Sequence, residues 1–178
     1  MQKRLILSSP LLEITISRLC QQLIENHQDF EDSVILGLQP RGIFFAERIR
    51  QQLQQMTGRG LPIGYLDATF HRDDFRRRET PLKANVNKVP FIIENTKVIL
   101  VDDVLFTGRT VRAALDAMAA FGRPRRVELL VLIDRRYSRD LPIEPNYVGM
   151  PVNTVQSQRV LVEWREQGAD QDRIWLIN

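Results

Sequence analysis

Val98-Ile99-Leu100-Val101-Asp102-Asp103-Val104-Leu105-Phe106-Thr107-Gly108-Arg109-Thr110 is the stretch on which the fold turns. Four apolar residues read as a buried strand, two aspartates stand where that strand ends, and Thr-Gly-Arg-Thr opens a helix. Ligands of open α/β sheets bind beyond the carboxyl ends of the strands. A helix N-terminus offers unpaired N–H groups and partial positive charge to a phosphate. Gly108 lets the backbone come close to a ligand, and Thr107 and Thr110 add hydroxyl donors. Paired carboxylates can accept from two neighbouring hydroxyls, as on a ribose, so the string suits a ribose 5-phosphate. The plainer alternative is a strand, a capped helix and solvated carboxylates, since Asp, Thr and Gly are common at such turns.

Outward from this stretch, apolar runs alternate with helical patterns. Ser9-Pro10 reads as an N-cap with proline at the first helical position. Leu12, Ile16, Leu19, Cys20 and Leu23 continue the helix to about His27. Val34–Leu38 reads as a strand, Gly42 to about Met56 as a helix, and Leu61–Thr69 as a second strand. His71–Asn87 is charged and poor in apolar residues, a loop or polar hairpin. Lys97–Val101 is the cleanest strand, followed by a helix from Thr107 to about Ala120 and a strand at Val127–Ile133. Pro142 and Pro145 mark a loop, and Val160–Trp164 and Arg173–Ile177 are short strands. The alternation predicts an α/β domain over residues 1–178 with a central, mostly parallel sheet flanked by helices.

The whole-chain numbers suit that reading. The chain has 178 residues, 43% hydrophobic and 26% charged, enough for one compact core. A net charge of +3 is compatible with anionic ligands but too small to argue for nucleic acid by itself. Cys20 is the one cysteine, which excludes an intrachain disulfide and a multi-cysteine metal site. Leu5–Leu7 is too short for a signal core or a membrane span, so the expectation is a cytoplasmic protein with no membrane partner. Cys20, Trp164 and Trp175 are expected to pack in the core or at an interface.

The Val98–Thr110 string is similar to the phosphoribosyl pyrophosphate motif of type I phosphoribosyltransferases. Gly37-Leu38-Gln39-Pro40-Arg41-Gly42 resembles their pyrophosphate loop. Leu66–Asp74, Gly122-Arg123-Pro124, Leu132–Arg135, Leu141–Ile143 and Tyr147–Gly149 resemble one branch, the bifunctional pyrimidine-operon regulators with uracil phosphoribosyltransferase activity. The match is nearly collinear from Ile6 to Trp164. The resemblance implies the type I fold with a small hood and a flexible loop, and a homodimer or homotetramer. It implies that Asp102 and Asp103 hold the ribose hydroxyls and that Leu105–Thr110 hold the 5-phosphate. Pro40 and Arg41 would face the pyrophosphate, with Arg72 reaching it from the His71–Glu79 loop. Mg²⁺ would arrive with the substrate, with no direct protein ligand assigned. Purine members carry Asp where Phe106 stands, and Phe106 can neither give nor take a proton. The implied base is therefore uracil and the product UMP, with Ile133, Arg135 and Tyr147 around the base. Tyr147 reads equally well as a stacking platform and as an ordinary core aromatic.

The sequence also departs from that branch. Pro40 replaces a Thr, which favours a cis or strained bond in the pyrophosphate loop. Arg136-Tyr137-Ser138-Arg139-Asp140 stands where Gly-His-Arg-Glu is usual. Gln21, Met150 and Ser17 stand where the regulators' RNA face has His, Lys and Thr, while other basic residues remain, including Arg18, Arg136 and Arg139. Two functions stay open: an enzyme that binds pyrimidine leader RNA weakly or not at all, and a non-catalytic, UMP-sensing RNA attenuator. An intact Asp102-Asp103 pair and Arg41 favour the enzyme.

Overall fold

The computed structural model describes residues 2–73, 84–155 and 157–178. Five parallel strands form the central sheet in the order β3-β2-β4-β5-β6: β2 (Ser33–Leu38), β3 (Ile63–Leu66), β4 (Lys97–Leu105), β5 (Arg126–Arg136) and β6 (Tyr147–Asn153). Helices α1 (Ser9–His27) and α2 (Gly42–Thr57) cover one face, and α3 (Arg109–Met118) covers the other. A second, antiparallel sheet has the order β1-β8-β7, with β1 (Lys3–Leu7), β7 (Arg159–Glu163) and β8 (Arg173–Ile177). It forms the hood. No described helix is long and apolar enough to cross a membrane.

The apolar run of β4 explains the layering. Ile99 and Val101 pack with α1 and α2, while Val98 and Leu100 pack with α3. A strand buried on both faces reads as continuous apolar residues. Each such side chain stabilises the fold by roughly 1.5–3 kcal/mol. Val98–Val101 therefore support the site without lining it, which corrects their expected place among the binding residues.

Other expectations are adjusted by the pairing. The aspartates lie inside β4, because its ladder with β5 continues from Asp102↔Val131 to Leu105↔Asp134. The cap of α1 is Ser8, one residue earlier than the sequence pattern indicates, and its side chain makes no capping bond. Two strands escape the sequence pattern altogether, β1 and β6. Cys20 is wholly buried, and burial pushes its thiol up to about 12. Trp164 is also wholly buried, between Phe45 and the Arg48 guanidinium, which lies 4.7 Å from the ring centroid. Arg48 in turn bonds Asp172 and Glu166, tying α2 to the hood.

Candidate functional site

Strand β2 pairs with β3 on one side and β4 on the other, so α2 and α3 leave the sheet on opposite faces. This makes the carboxyl ends of β2 and β4 a topological switch point. Gly37 of β2 pairs with Val101 of β4, which sets the Gln39–Arg41 turn beside Asp102 and Asp103. The Gln39-Pro40 bond is cis, as the proline suggested.

Close approach fixes this corner. A Cβ on Gly42 would lie 2.7 Å from the Val101 carbonyl oxygen and 3.0 Å from Asp102 Cα. Those obstacles are backbone, so relief requires moving α2 or the strand end. Gly42→Ala is expected to lower stability by about 1–3 kcal/mol and to displace the carboxylate pair. The urea midpoint checks it, and an unchanged midpoint would contradict the contact.

Asp102 and Asp103 are 9% and 8% exposed, and Asp102 Oδ1 accepts from the Asp103 N–H at 2.9 Å. Burial, and then the charge of Asp103, push the Asp102 carboxyl well above the ordinary carboxylate range. Burial also raises Asp103, against the opposing pull of the Arg41 guanidinium. Two buried carboxylates with one nearby cation form an acceptor pair short of donors, which is what a vicinal diol supplies.

Beyond them the chain turns through Phe106–Gly108 into α3. Gly108 has φ +89°, the left-handed region, and it abuts Ile143 of the β5–β6 loop. Val104 and Leu105 pack inward, leaving Phe106, Thr107, Arg109 and Thr110 at the surface of the turn. Arg72 donates to Thr110 Oγ1 at 3.0 Å. The remainder of the expected loop, residues 74–83, lies outside the described residues.

The expected base residues separate. Arg135 is buried, with its guanidinium carbon 3.8 Å from the Phe106 ring centroid, bonded to Thr154 Oγ1 and the Gln158 carbonyl. Phe106 keeps 37% exposure, so the pair forms a fixed wall beside the turn. Ile133 is wholly buried and offers no surface to a base. Tyr147 begins the edge strand β6, level with Leu130 and Val101, and its hydroxyl bonds Glu128 at 2.9 Å and Asn26 at 3.1 Å. It is a core aromatic, joined to buried His27 through Glu128. Of the two readings of this ring, the bonds support the core aromatic: they turn the hydroxyl toward Glu128 and Asn26 rather than toward the Phe106 turn.

Two positioning residues were not legible beforehand. Arg139 donates to the Phe106, Ile143 and Arg135 carbonyls and to Asp134, pinning the β5–β6 loop to the turn. Asp67 accepts from the Thr69 N–H at 2.7 Å and from the Asn85 N–H, gathering both ends of the segment between them. Burial works to raise its pKa, but those bonds prevail and hold it below the ordinary value. The Asp-x-Thr spacing of an Asx turn was the one available signal.

This geometry is that of a phosphoribosyltransferase, and the chain belongs to that family: the phosphoribosyl transferase domain model matches residues 4–167. Within the family its relatives carry the name bifunctional protein PyrR. One from Enterococcus faecalis is 40% identical over 171 residues, 96% of this chain and 95% of the relative. One from Chloroflexus aurantiacus is 43% identical over 167 residues, 93% and 91% of the two chains. Among solved structures, the hypoxanthine phosphoribosyltransferase of Trypanosoma cruzi superposes with TM-score 0.74 at 13% identity, covering 97% of this chain and 95% of that one. The Staphylococcus aureus hypoxanthine enzyme gives 0.70 at 19% identity, covering 96% and 90%. These likenesses are of fold.

Proposed function

We propose that the chain is a uracil phosphoribosyltransferase, a pentosyl transferase that makes UMP and pyrophosphate from uracil and phosphoribosyl pyrophosphate. The observation that carries this reading is the buried Asp102-Asp103 pair set between the Arg41 turn and the Phe106–Thr110 turn. The aspartates accept from the ribose hydroxyls. The N–H groups at the start of α3 and the Thr107 and Thr110 hydroxyls take the 5-phosphate. Arg41 faces the leaving pyrophosphate and stabilises the charge that develops as carbon 1 becomes oxocarbenium-like. Holding the ribose at two points fixes its orientation before reaction. Phe106 and Arg135 wall the base side and keep out water that would capture the cation. The whole of residues 1–178 serves as one such domain, in a cytoplasmic setting compatible with its single thiol.

Mg²⁺ fits as a passenger of the substrate. Among the described residues no three His, Cys, Asp or Glu side chains gather to hold a metal. Mg²⁺ prefers six oxygens and takes substrate phosphates together with one or two carboxylates, a part Asp102 and Asp103 can fill. When bound it neutralises charge on the pyrophosphate. Turnover of uracil and phosphoribosyl pyrophosphate to UMP tests the reading, and no UMP from well-folded protein would refute it.

The word "bifunctional" in the relatives' names supports a second role, as an RNA-binding regulator responsive to UMP. Of the three arginines named for that face, two are engaged within the chain. Arg18 donates to the Gly149 carbonyl at 2.5 Å, and Arg139 is engaged by the β5–β6 loop, whereas Arg136 is exposed and can compensate. Each lost phosphate contact lowers the salt slope by roughly one unit. Pyrimidine leader RNA is therefore expected to bind weakly or not at all. A gel-shift titration with and without UMP, against a scrambled RNA, checks it. Specific, tight binding strengthened by UMP would restore the regulator as a full second function.

A further inference from the structure

The residues after β3 lie on the α3 end of the site. Thr69–His71 form a single 3-10 turn packed on α3, and Arg72 and Asp73 follow it. Asp73 Oδ2 stands 2.5 Å from a terminal guanidinium nitrogen of Arg109, the first residue of α3. On its other side the Arg109 Nε donates to Asp140 of the β5–β6 loop at 3.0 Å. Arg72 meanwhile takes the Thr110 hydroxyl. The chain's own carboxylate and guanidinium thus engage two side chains at the mouth of the turn. A carboxylate at an arginine beside a helix N-terminus is the same kind of ligand as a phosphate oxygen.

We infer that Asp73 is a built-in competitor for the phosphoryl group of the substrate: the 5-phosphate displaces the Asp73 carboxylate from Arg109. The inference rests on the reading of Leu105–Thr110 as the phosphate loop. Exposure makes the exchange easy. The Arg109 and Asp73 side chains are 40% and 45% exposed, and such pairs are weak, screened by salt and readily opened. Asp140 stays on Nε when Asp73 leaves, so Arg109 keeps its orientation while one face of its guanidinium becomes available.

Calorimetric titration with ribose 5-phosphate tests this, using the natural chain and the variants Asp73→Asn, Asp73→Glu and Asp140→Asn. Asp73→Asn is expected to bind about two- to fivefold tighter at low salt, the range of an exposed ion pair. Asp73→Glu, which keeps the charge, should stay near the natural value. The gap between natural and Asn chains should close in about 0.5 M salt, where the pair is screened. Equal or weaker binding by Asp73→Asn, with the natural chain still binding, overturns the competition and leaves the phosphate loop standing. Equal tightening in Asp140→Asn reduces the effect to net charge and also overturns it. If none of the four folded proteins binds ribose 5-phosphate, the phosphate loop itself is wrong and the competition falls with it.

Discussion

Asp102→Asn with Asp103→Asn leaves a folded protein whose kcat/KM for uracil phosphoribosylation falls by about 10²–10⁴-fold. A hydrogen bond to a charged group is worth roughly 1.5–3 kcal/mol, two such bonds double that, and 1.4 kcal/mol is a factor of ten. Stability moves the other way. Asp102 carries a raised pKa from burial and from Asp103, so the folded chain holds a proton that the unfolded chain gives up. The natural protein is thus most stable, as far as this group is concerned, below the ordinary carboxylate pKa. It loses stability as pH rises through the raised one. The Asn variant has no such proton, so its stability relative to the natural chain should climb from about pH 4 up through the raised pKa. Urea melts across that range, beside steady-state turnover, check both halves. Near-normal turnover would remove the carboxylates from the ribose site, and a pH-independent stability difference would contradict their burial.

The second large effect is base choice. Uracil should be used at least about a hundredfold better than hypoxanthine, guanine or adenine, because general acid–base assistance is worth 10²–10⁴-fold and Phe106 offers none. Arg135 does not replace it. Its guanidinium carbon lies 3.8 Å from the Phe106 ring centroid and the group is held by Thr154 and Gln158, a permanent cation with no proton to exchange at working pH. Competition between the four bases at equal concentration decides the matter, and a purine preference would overturn the assignment of Phe106. The solved purine enzymes that share this fold at 13–19% identity do not bear on the choice, since the fold hosts both classes of base.

The α/β layering and the β4–α3 corner were legible because their signals are local. A continuous apolar run, a carboxylate pair and a glycine turn all fall within thirteen residues. The three helices follow from periodicity to within a few residues at their ends. What was not legible depends on distant partners. Strand β1 buries only Leu7 fully and finds its mate at Ile174–Ile177, the other end of the chain. Strand β6 carries Gly149 and Pro151, which read as a breaker pattern, yet an edge strand tolerates both. Tyr147 shows the same limit. The resemblance put it beside the base, but its hydroxyl is held by Glu128 and Asn26, partners 19 and 121 residues away that the local sequence does not display. Arg135 was placed near the base by resemblance, while its stacking on Phe106 follows from β4 and β5 ending side by side.

The hood joins the two ends of the chain, with Lys3 opposite Ile177 and Leu7 opposite Ile174. This has a meaning for the order in which the molecule is made. Strands β2 to β6, with the three helices, are all synthesised by Asn153, and they contain the carboxylate pair, the Arg41 turn and the phosphate turn. Strand β1 leaves the ribosome first but has no edge to join until β8 arrives last. A nascent chain ending at Asn153 would own every charged group proposed for the ribose and its phosphates, while Arg135 would lack Gln158, whose carbonyl accepts from its guanidinium. The groups proposed for the sugar are made early in the chain, and the brace behind the Phe106–Arg135 wall comes only with the segment that leads into its last strands.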